Sequence, residues 1–103
     1  MRTDALNVAR SDGDFVVSVR GRLTHRLYDQ FVDAIDQMAE AKTNALIIDV
    51  SEMDLLDSGG IGLLLMAFDI ARSHGAAGVI RGATGRVAQV LANARLEELF
   101  TLA

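Results

Sequence analysis

The chain has 103 residues, 50% hydrophobic and 23% charged, which fits one globular domain spanning residues 1–103. It contains no cysteine, which excludes disulfide bonds and thiolate metal sites, and its net charge of −4 with scattered Lys and Arg argues against direct nucleic-acid binding. No apolar run approaches the roughly 20 residues that cross a bilayer, and the first residues contain no signal-peptide core. We therefore expect a cytoplasmic protein without a membrane segment.

The first half of the chain predicts two strands and a helix. Residues 6–9 form a weak strand before a turn cluster, and residues 15–23 form a strong one with β-branched, alternating residues. Thr24 can cap the helix that follows at about residues 25–41, whose apolar residues recur at helical spacing. The opposite face of this helix is acidic and most simply solvated, although a basic partner can use it. It carries Asp29, Asp33, Asp36 and Glu40.

The second half continues the alternation of strands and helices. The apolar run ALIIDV at residues 45–50 is typical of a strand buried on both faces, and a polar, irregular stretch follows as far as Ser58. A second helix is predicted at residues 59–74. The last elements are predicted at residues 78–81 (strand), 86–93 (helix) and 99–102 (edge strand). This alternation predicts an α/β fold with a mostly parallel sheet.

The second helix is apolar around most of its circumference. The stripe expected to face the sheet consists of Ile61, Leu64, Leu65, Phe68 and Ala71. A second stripe beside it consists of Leu63, Met66, Ala67 and Ile70. Such a helix is either buried on several sides, which is the simpler explanation, or binds another molecule. Leu63 is accordingly a candidate contact residue.

The segment SEMDLLDSGGIGLLL at residues 51–65 follows the central strand, where open α/β sheets place their sites. Asp57 or Ser58 can accept a hydrogen bond from the free amides of the next helix. Glycines at 59, 60 and 62 each cost about 1 kcal/mol in a helix, so something is expected to approach the backbone there. Spacing alone fits two interpretations equally. One is a plain capped turn, and the other is a phosphate acceptor at Ser58, favoured by the helix dipole and opposed by Asp57.

Carboxylates near the same strand allow another interpretation, an enzyme of the phospho-aspartate class. Asp49, Asp54 and Asp57 are residues that suit magnesium. A receiver-type site also needs a lysine at the end of a later strand, however, where this chain has Arg81. The runs GGIG and GATGR do not match nucleotide-binding loops. The sequence therefore predicts no enzyme activity, no cofactor and no metal site.

The run IIDVSEMDLLDSGGIGLLL at residues 47–65 resembles the signature of the STAS domain, which occurs in anti-sigma factor antagonists and in the cytoplasmic tails of sulfate transporters. FVVSVRGRLT is similar to the second strand and Gly-x-Leu turn of that family, and RVAQVLANARLEELF to its closing helix. The resemblance covers nearly the whole chain. It implies a single STAS-like domain with a mixed, mostly parallel sheet of four to five strands. Compared with many relatives, the C-terminal helix is expected to be short or missing.

The resemblance implies an anti-sigma factor antagonist that switches partners. In the family, the serine after the aspartate is phosphorylated by a partner that is both anti-sigma factor and kinase, and a phosphatase reverses the modification. That serine corresponds to Ser58 here. The unmodified form would bind the anti-sigma factor and free the sigma factor, and a homodimer is compatible with this function. The residues expected at the partner surface are Thr24, His25, Asp57, Ser58, Gly59, Gly60 and Leu63.

Two positions depart from the family pattern. Gly59 stands where a second Ser or Thr is common, and Thr24 followed by His25 stands where the turn usually carries an Asp. His25 is either a solvated surface histidine or a contact to the partner or the phosphate. These departures leave open an alternative function, a STAS-like module that binds a partner without phosphorylation. Such a module would act as a scaffold or as an accessory in signalling or transport.

Overall fold

The structure is a computed structural model that describes residues 4–103; residues 1–3 of the predicted single domain lie outside the described part. The strands are β1 (Ala5–Ser11), β2 (Asp14–Leu23), β3 (Ala45–Leu56), β4 (Ala77–Arg81) and β5 (Thr101–Leu102). The helices are α1 (Tyr28–Glu40), α2 (Ser58–Ser73) and α3 (Gly85–Asn93), with short 3₁₀ turns at His25–Leu27 and Leu96–Glu98.

The described strands form one sheet in the order β1-β2-β3-β4-β5. β1 runs antiparallel to β2, and all other neighbouring strands are parallel. The β1–β2 connection is a tight turn at Asp12 and Gly13, whose φ angles of 51° and 85° are those for which Asp-Gly pairs are favoured in hairpins. The predicted α/β fold with a mixed, mostly parallel sheet is confirmed.

All three helices pack on one face of the sheet. Each connects a strand to its parallel neighbour, and because such crossovers are right-handed, successive steps in one direction place the helices on the same side. Alternate strand residues join the helices in one hydrophobic core, among them Phe15, Val17, Val19, Leu46, Ile48, Val50 and Ile80. The strand residues between them point to the opposite face, which no helix of residues 4–103 covers.

β3 is longer than the sequence predicts. Residues 51–58 are expected to be irregular, but the strand continues to Leu56. It stays paired with β2 through two register shifts, so that Arg20 lies opposite Glu52 and Leu23 opposite Leu56. The expectation was wrong because the polar side chains of this segment face solvent while the backbone remains in the sheet. As a result β2 and β3 end side by side.

The other elements begin and end close to their predicted positions. The predicted first helix divides into the 3₁₀ turn His25–Leu27 and α1. After α3, residues 94–103 contain a 3₁₀ turn and the two-residue strand β5, in agreement with a short or missing C-terminal helix. Within the described part of the chain, no helix combines the length and hydropathy needed to cross a membrane.

The inner face of α2 differs from the predicted stripe. Its buried residues are Gly60, Leu63, Leu64, Ala67 and Ala71. Leu65, predicted to face the sheet, is 41% exposed, whereas Leu63, predicted on the second stripe, is only 5% exposed and lies in the core. Because Gly60 has no apolar side chain, hydrophobic spacing does not reveal that its position faces inward. The predicted stripe leaves Gly60 out and is therefore centred too close to Leu65.

Candidate functional site

Asp57 links the end of β3 to the start of α2. Its backbone is extended, with φ −105° and ψ −176°, and it occupies the N-cap position. Its Oδ1 accepts a hydrogen bond of 2.8 Å from the Gly60 amide, and its carbonyl oxygen accepts one of 2.9 Å from the Ile61 amide. Asp57 therefore satisfies two amides of the first turn, as the sequence predicted for a residue at this position.

Ser58 is the first residue of α2 and is exposed. Its side chain makes no hydrogen bond within residues 4–103, so the hydroxyl is open to solvent and to a docking protein. The amides of Ser58 and Gly59 precede the first amide that the helix itself satisfies, and the positive end of the helix dipole lies at this point. The environment therefore tolerates a negative group on the Ser58 oxygen.

Gly60 lies where α2 meets the end of β2. A Cβ atom at this position would overlap the carbonyl oxygen of Leu23 and lie 2.7 Å from Leu56 Cδ1. The close approach that the glycine-rich run predicts is thus made by the backbone of β2 within the same molecule. Gly60 is buried and does not present a surface to a partner, which corrects its assignment as a partner-binding residue.

The turn after β2 lies beside the start of α2. Thr24 caps the 3₁₀ turn, and its Oγ1 accepts a 3.2 Å hydrogen bond from the Arg26 amide. A Cβ atom at Gly59 would lie 3.1 Å from the His25 amide nitrogen, so these two backbones are in near contact. His25 is exposed. The two segments that the sequence singled out separately therefore form one continuous surface.

Five of the seven predicted partner-binding residues lie together at this surface: Thr24, His25, Asp57, Ser58 and Gly59. Leu63 does not join them, because its side chain points into the core, 5% exposed. Its assignment as a contact residue is wrong for the same reason as the predicted stripe, since α2 is rotated by the inward position of Gly60.

The outer side of α2 carries residues that hydrophobic spacing did not identify. Gly62 is exposed, and a Cβ atom there would have no neighbour within 4 Å. Leu65 and Asp69, three and seven residues further on, are exposed on the same side as Ser58. These residues could have been found from the sequence if Gly60 had been assigned to the buried side of α2, because helical spacing then puts them on the exposed side.

Asp49, considered above as a magnesium ligand, lies on the helix-free face of the sheet. Its Oδ1 accepts hydrogen bonds from the Ser51 amide (2.9 Å) and hydroxyl (2.6 Å), and its Oδ2 contacts Arg81 at 3.0 Å. Burial alone would raise the pKa of Asp49, but the bonds from Ser51 and Arg81 outweigh it and hold the pKa below its ordinary value. Residues 4–103 contain no group of three His, Asp or Glu side chains placed to hold a metal ion.

Comparison with known proteins places the chain among STAS domains. The family model described as "Mlab, STAS domain" matches residues 6–102. An anti-sigma factor antagonist from Mycobacterium paratuberculosis is 25% identical, with a TM-score of 0.78 over 97% of this chain and 85% of that chain. No curated protein matches the chain in sequence.

Further solved structures share the fold at lower identity. The anti-sigma factor antagonist SpoIIAA in its unphosphorylated form is 17% identical, with a TM-score of 0.81 over 96% of this chain and 88% of that chain. The phosphorylated form of SpoIIAA, from Bacillus, gives a TM-score of 0.67 at 17% identity, over 96% and 91% of the two chains. A sulfate transporter family protein from Wolinella succinogenes is 16% identical, with a TM-score of 0.76 over 87% of this chain and 73% of that chain.

Proposed function

The chain belongs to the STAS domain family, and we propose that it acts as an anti-sigma factor antagonist whose binding is switched off by phosphorylation of Ser58. The observation that carries the proposal is the exposed Ser58 side chain at the capped start of α2. The similarity in fold to SpoIIAA, which was solved in phosphorylated and unphosphorylated forms, supports it. The protein works in this scheme by binding, in the cytoplasm, without a cofactor and without catalysing a reaction itself.

A phosphate at Ser58 changes the surface more than the fold. It adds about −1.5 to −2 charges at pH 7, and the amides and dipole at the start of α2 favour an anion there. The neighbouring Asp57 carboxylate opposes the phosphate, so the two effects partly cancel. Because Ser58 is exposed, the phosphate needs no rearrangement of the core.

The same phosphate is costly in a packed interface. When a protein is docked against Ser58, the phosphate loses its hydration and is repelled by the like charge of Asp57, and both effects reduce the binding free energy. A loss of roughly 3–4 kcal/mol in binding free energy weakens affinity several hundredfold, which is sufficient to exchange partners. The switch therefore operates through charge alone.

The partner in this proposal is an anti-sigma factor that is also a serine kinase, and a phosphatase restores the free form. The contact surface consists of Thr24, His25, Asp57, Ser58 and Gly59, which lie together at the ends of β2 and β3. Unmodified protein binds the anti-sigma factor here and releases the sigma factor. Phosphorylated protein dissociates from the anti-sigma factor.

A second function is supported by Gly59 and by the similarity in fold to a sulfate transporter family protein. In that case the domain is an interaction module of a signalling or transport assembly and is not phosphorylated. The two functions share the binding surface. They differ in whether the Ser58 hydroxyl receives a phosphate.

The test is incubation of the purified protein with ATP and an extract of its native cell, followed by intact-mass and peptide mass spectrometry. The proposal expects a single phosphate, located on Ser58, that is lost in Ser58→Ala. Ser73→Ala is the matched control, because Ser73 is also exposed on α2 but at its other end, where its hydroxyl donates to the Ile70 carbonyl oxygen. Labelling that persists in Ser58→Ala refutes the acceptor assignment. A protein that binds a defined partner and is never labelled is the interaction module.

A further inference from the structure

The two edges of the sheet differ in length. β5 forms one edge with two residues, whereas β1 forms the other with seven and pairs with β2 from Ala5 to Ser11 without a register shift. Native edge strands are usually protected by short length, by proline or lysine, or by a bulge. β1 is regular and contains neither proline nor lysine. Within residues 4–103, no other element pairs with its outer side, which we call the β1 edge.

The hairpin determines which backbone groups of β1 are free. Ser11 and Asp14 close a two-residue turn and therefore exchange hydrogen bonds, and bonded pairs alternate along an antiparallel ladder. Every second residue of β1 thus directs its amide and carbonyl groups toward β2: Ala5, Asn7, Ala9 and Ser11. The residues between them direct these groups outward, at the β1 edge: Leu6, Val8 and Arg10.

The β1 edge is complementary to itself. Its three outward-bonding residues are centred on Val8, so a two-fold axis there pairs Val8 with Val8 of a second copy, and Leu6 with Arg10. Three pairs with two bonds each give six backbone hydrogen bonds, and no charge lies opposite a like charge. Val8 is 38% exposed although it lies on the helix side of the sheet, opposite Val17. Contact with the same residue of the second copy covers it.

The acidic residues of α1 do not prevent this pairing. Of the three helices, α1 packs closest to β1, and its exposed carboxylates lie opposite its buried residues and point away from the sheet. The partly buried Val32 and Ala39 lie on the flank of α1 toward α2, so Gln30 and Gln37 lie on the flank toward β1. Uncharged side chains of α1 therefore face the second copy across the axis.

We propose that the chain forms a symmetric dimer in which the β1 edges of two copies pair antiparallel about Val8, giving one continuous sheet of ten strands. The symmetry of the free backbone groups about Val8 favours a second copy over an unrelated strand. The proposal goes beyond the proposed function and does not depend on it. Because the axis reverses the strands, the two Ser58 surfaces lie at opposite ends of the dimer and both stay free.

The first test is a concentration series of the full chain. Sedimentation at about 0.15 M salt screens the net charge of −4 on each copy. A single strand pair is a small interface, so a dissociation constant in the micromolar range is expected. Amide exchange followed by NMR should show protection that rises with concentration at Leu6, Val8 and Arg10, but not at Asn7 or Ala9. A chain that is monomeric up to about 1 mM, or a dimer without this alternating protection, overturns the proposal.

Charges placed on the axis test the register. Val8→Lys puts two like charges opposite each other and should weaken the dimer at least about tenfold, as should Val8→Glu. Leu102→Lys is the matched control, because Leu102 is 46% exposed on β5, the other edge, and it should dimerise normally. An equimolar mixture of Val8→Lys and Val8→Glu should dimerise again, since opposite charges then meet. Circular dichroism checks that each variant is folded. Equal effects of Val8→Lys and Leu102→Lys, or a mixture that stays monomeric, overturn the pairing about Val8.

Discussion

The inner and outer sides of the first turns of α2 differ in how much change they can accept. On the inner side, the Gly60 backbone touches the Leu23 carbonyl oxygen, and the Gly60 amide donates to Asp57. On the outer side, Ser58 and Gly62 face open space. The inner contacts hold the helix start in a fixed position, which allows the outer side to change its charge while the fold stays the same. In the proposed function, that separation is what would allow phosphorylation to switch binding without a conformational change.

The largest effect is expected from closing the inner side. Gly60→Ala places a Cβ atom on the Leu23 carbonyl oxygen, and neither backbone can move without breaking the sheet or the cap. We expect a loss of about 3 kcal/mol or more in the free energy of unfolding, and a melting temperature at least about 10 °C lower. The melting temperature is measured by thermal unfolding followed by circular dichroism. An unchanged melting temperature would mean that α2 and β2 are not in contact at this point.

A smaller loss is expected from removing the cap. Asp57→Ala leaves the Gly60 amide without its acceptor and should lower the free energy of unfolding by about 1 kcal/mol. Asp57→Asn is the matched control, since its amide oxygen can still accept the bond and should retain most of the stability. Chemical denaturation of the three proteins gives the comparison. Equal losses in both variants would show that the carboxylate charge, and not the cap, holds the turn.

On the outer side, a glycine-to-alanine substitution, which destabilises the protein at position 60, should stabilise it at position 62. Gly62→Ala meets no atom within 4 Å and removes the conformational freedom of a glycine within a helix. We expect a gain of roughly 0.5–1 kcal/mol in the free energy of unfolding, measured in the same denaturation series as Gly60→Ala. A loss at Gly62 would contradict the open outer side.

The smallest effect concerns Asp49, which lies away from the turn and pairs with Arg81. Because the pKa of Asp49 is lowered in the folded state, its ionised form adds stability above the ordinary pKa of about 4, and this is lost as the pH falls through the folded value. Asp49→Asn should therefore be less stable than the original protein at pH 6 by a few tenths of a kcal/mol, and the difference should shrink as the pH falls below about 4. Asp4, whose pKa is lowered by its hydrogen bonds to Arg22, titrates in both proteins and cancels. A pH-independent difference would assign the role of Asp49 to packing.

Much of the architecture could be predicted from local patterns. The turn at Asp12-Gly13, the strand at residues 45–50 and a cap at Asp57 or Ser58 depend on residues close in the sequence, and each was predicted. The expected burial of that strand on both faces was wrong, because the helices of residues 4–103 lie on one side of the sheet and bury only Leu46, Ile48 and Val50. The extension of β3 to Leu56 depends on pairing with β2, which is distant in sequence and stabilises a polar segment that looks like a loop. Non-local hydrogen bonds of this kind leave no trace in side-chain periodicity.

The candidate site was predicted in part. The position of Ser58 at the start of the second helix follows from the cap and the glycine run, and Ser58 is exposed in the structure. The sequence predicted that Leu65 faces the sheet, but Leu63 is buried and Leu65 is exposed. The reason is that a backbone contact of Gly60 sets the rotation of α2, and hydropathy does not record that contact. Gly60 and Gly62 are the same residue type, but Gly60 packs against β2 and Gly62 faces open space. Only the position of β2 distinguishes them.

The central claim is that a charge at Ser58 changes binding and leaves the fold unaltered. The direct measurement compares Ser58→Glu with Ser58→Ala, using calorimetry with the purified partner for affinity and thermal unfolding for stability. The account predicts that Ser58→Glu binds at least about tenfold more weakly, that Ser58→Ala binds normally, and that both melt within about 2 °C of the original protein. Undiminished affinity in Ser58→Glu, or a melting temperature that falls together with the affinity, would contradict it.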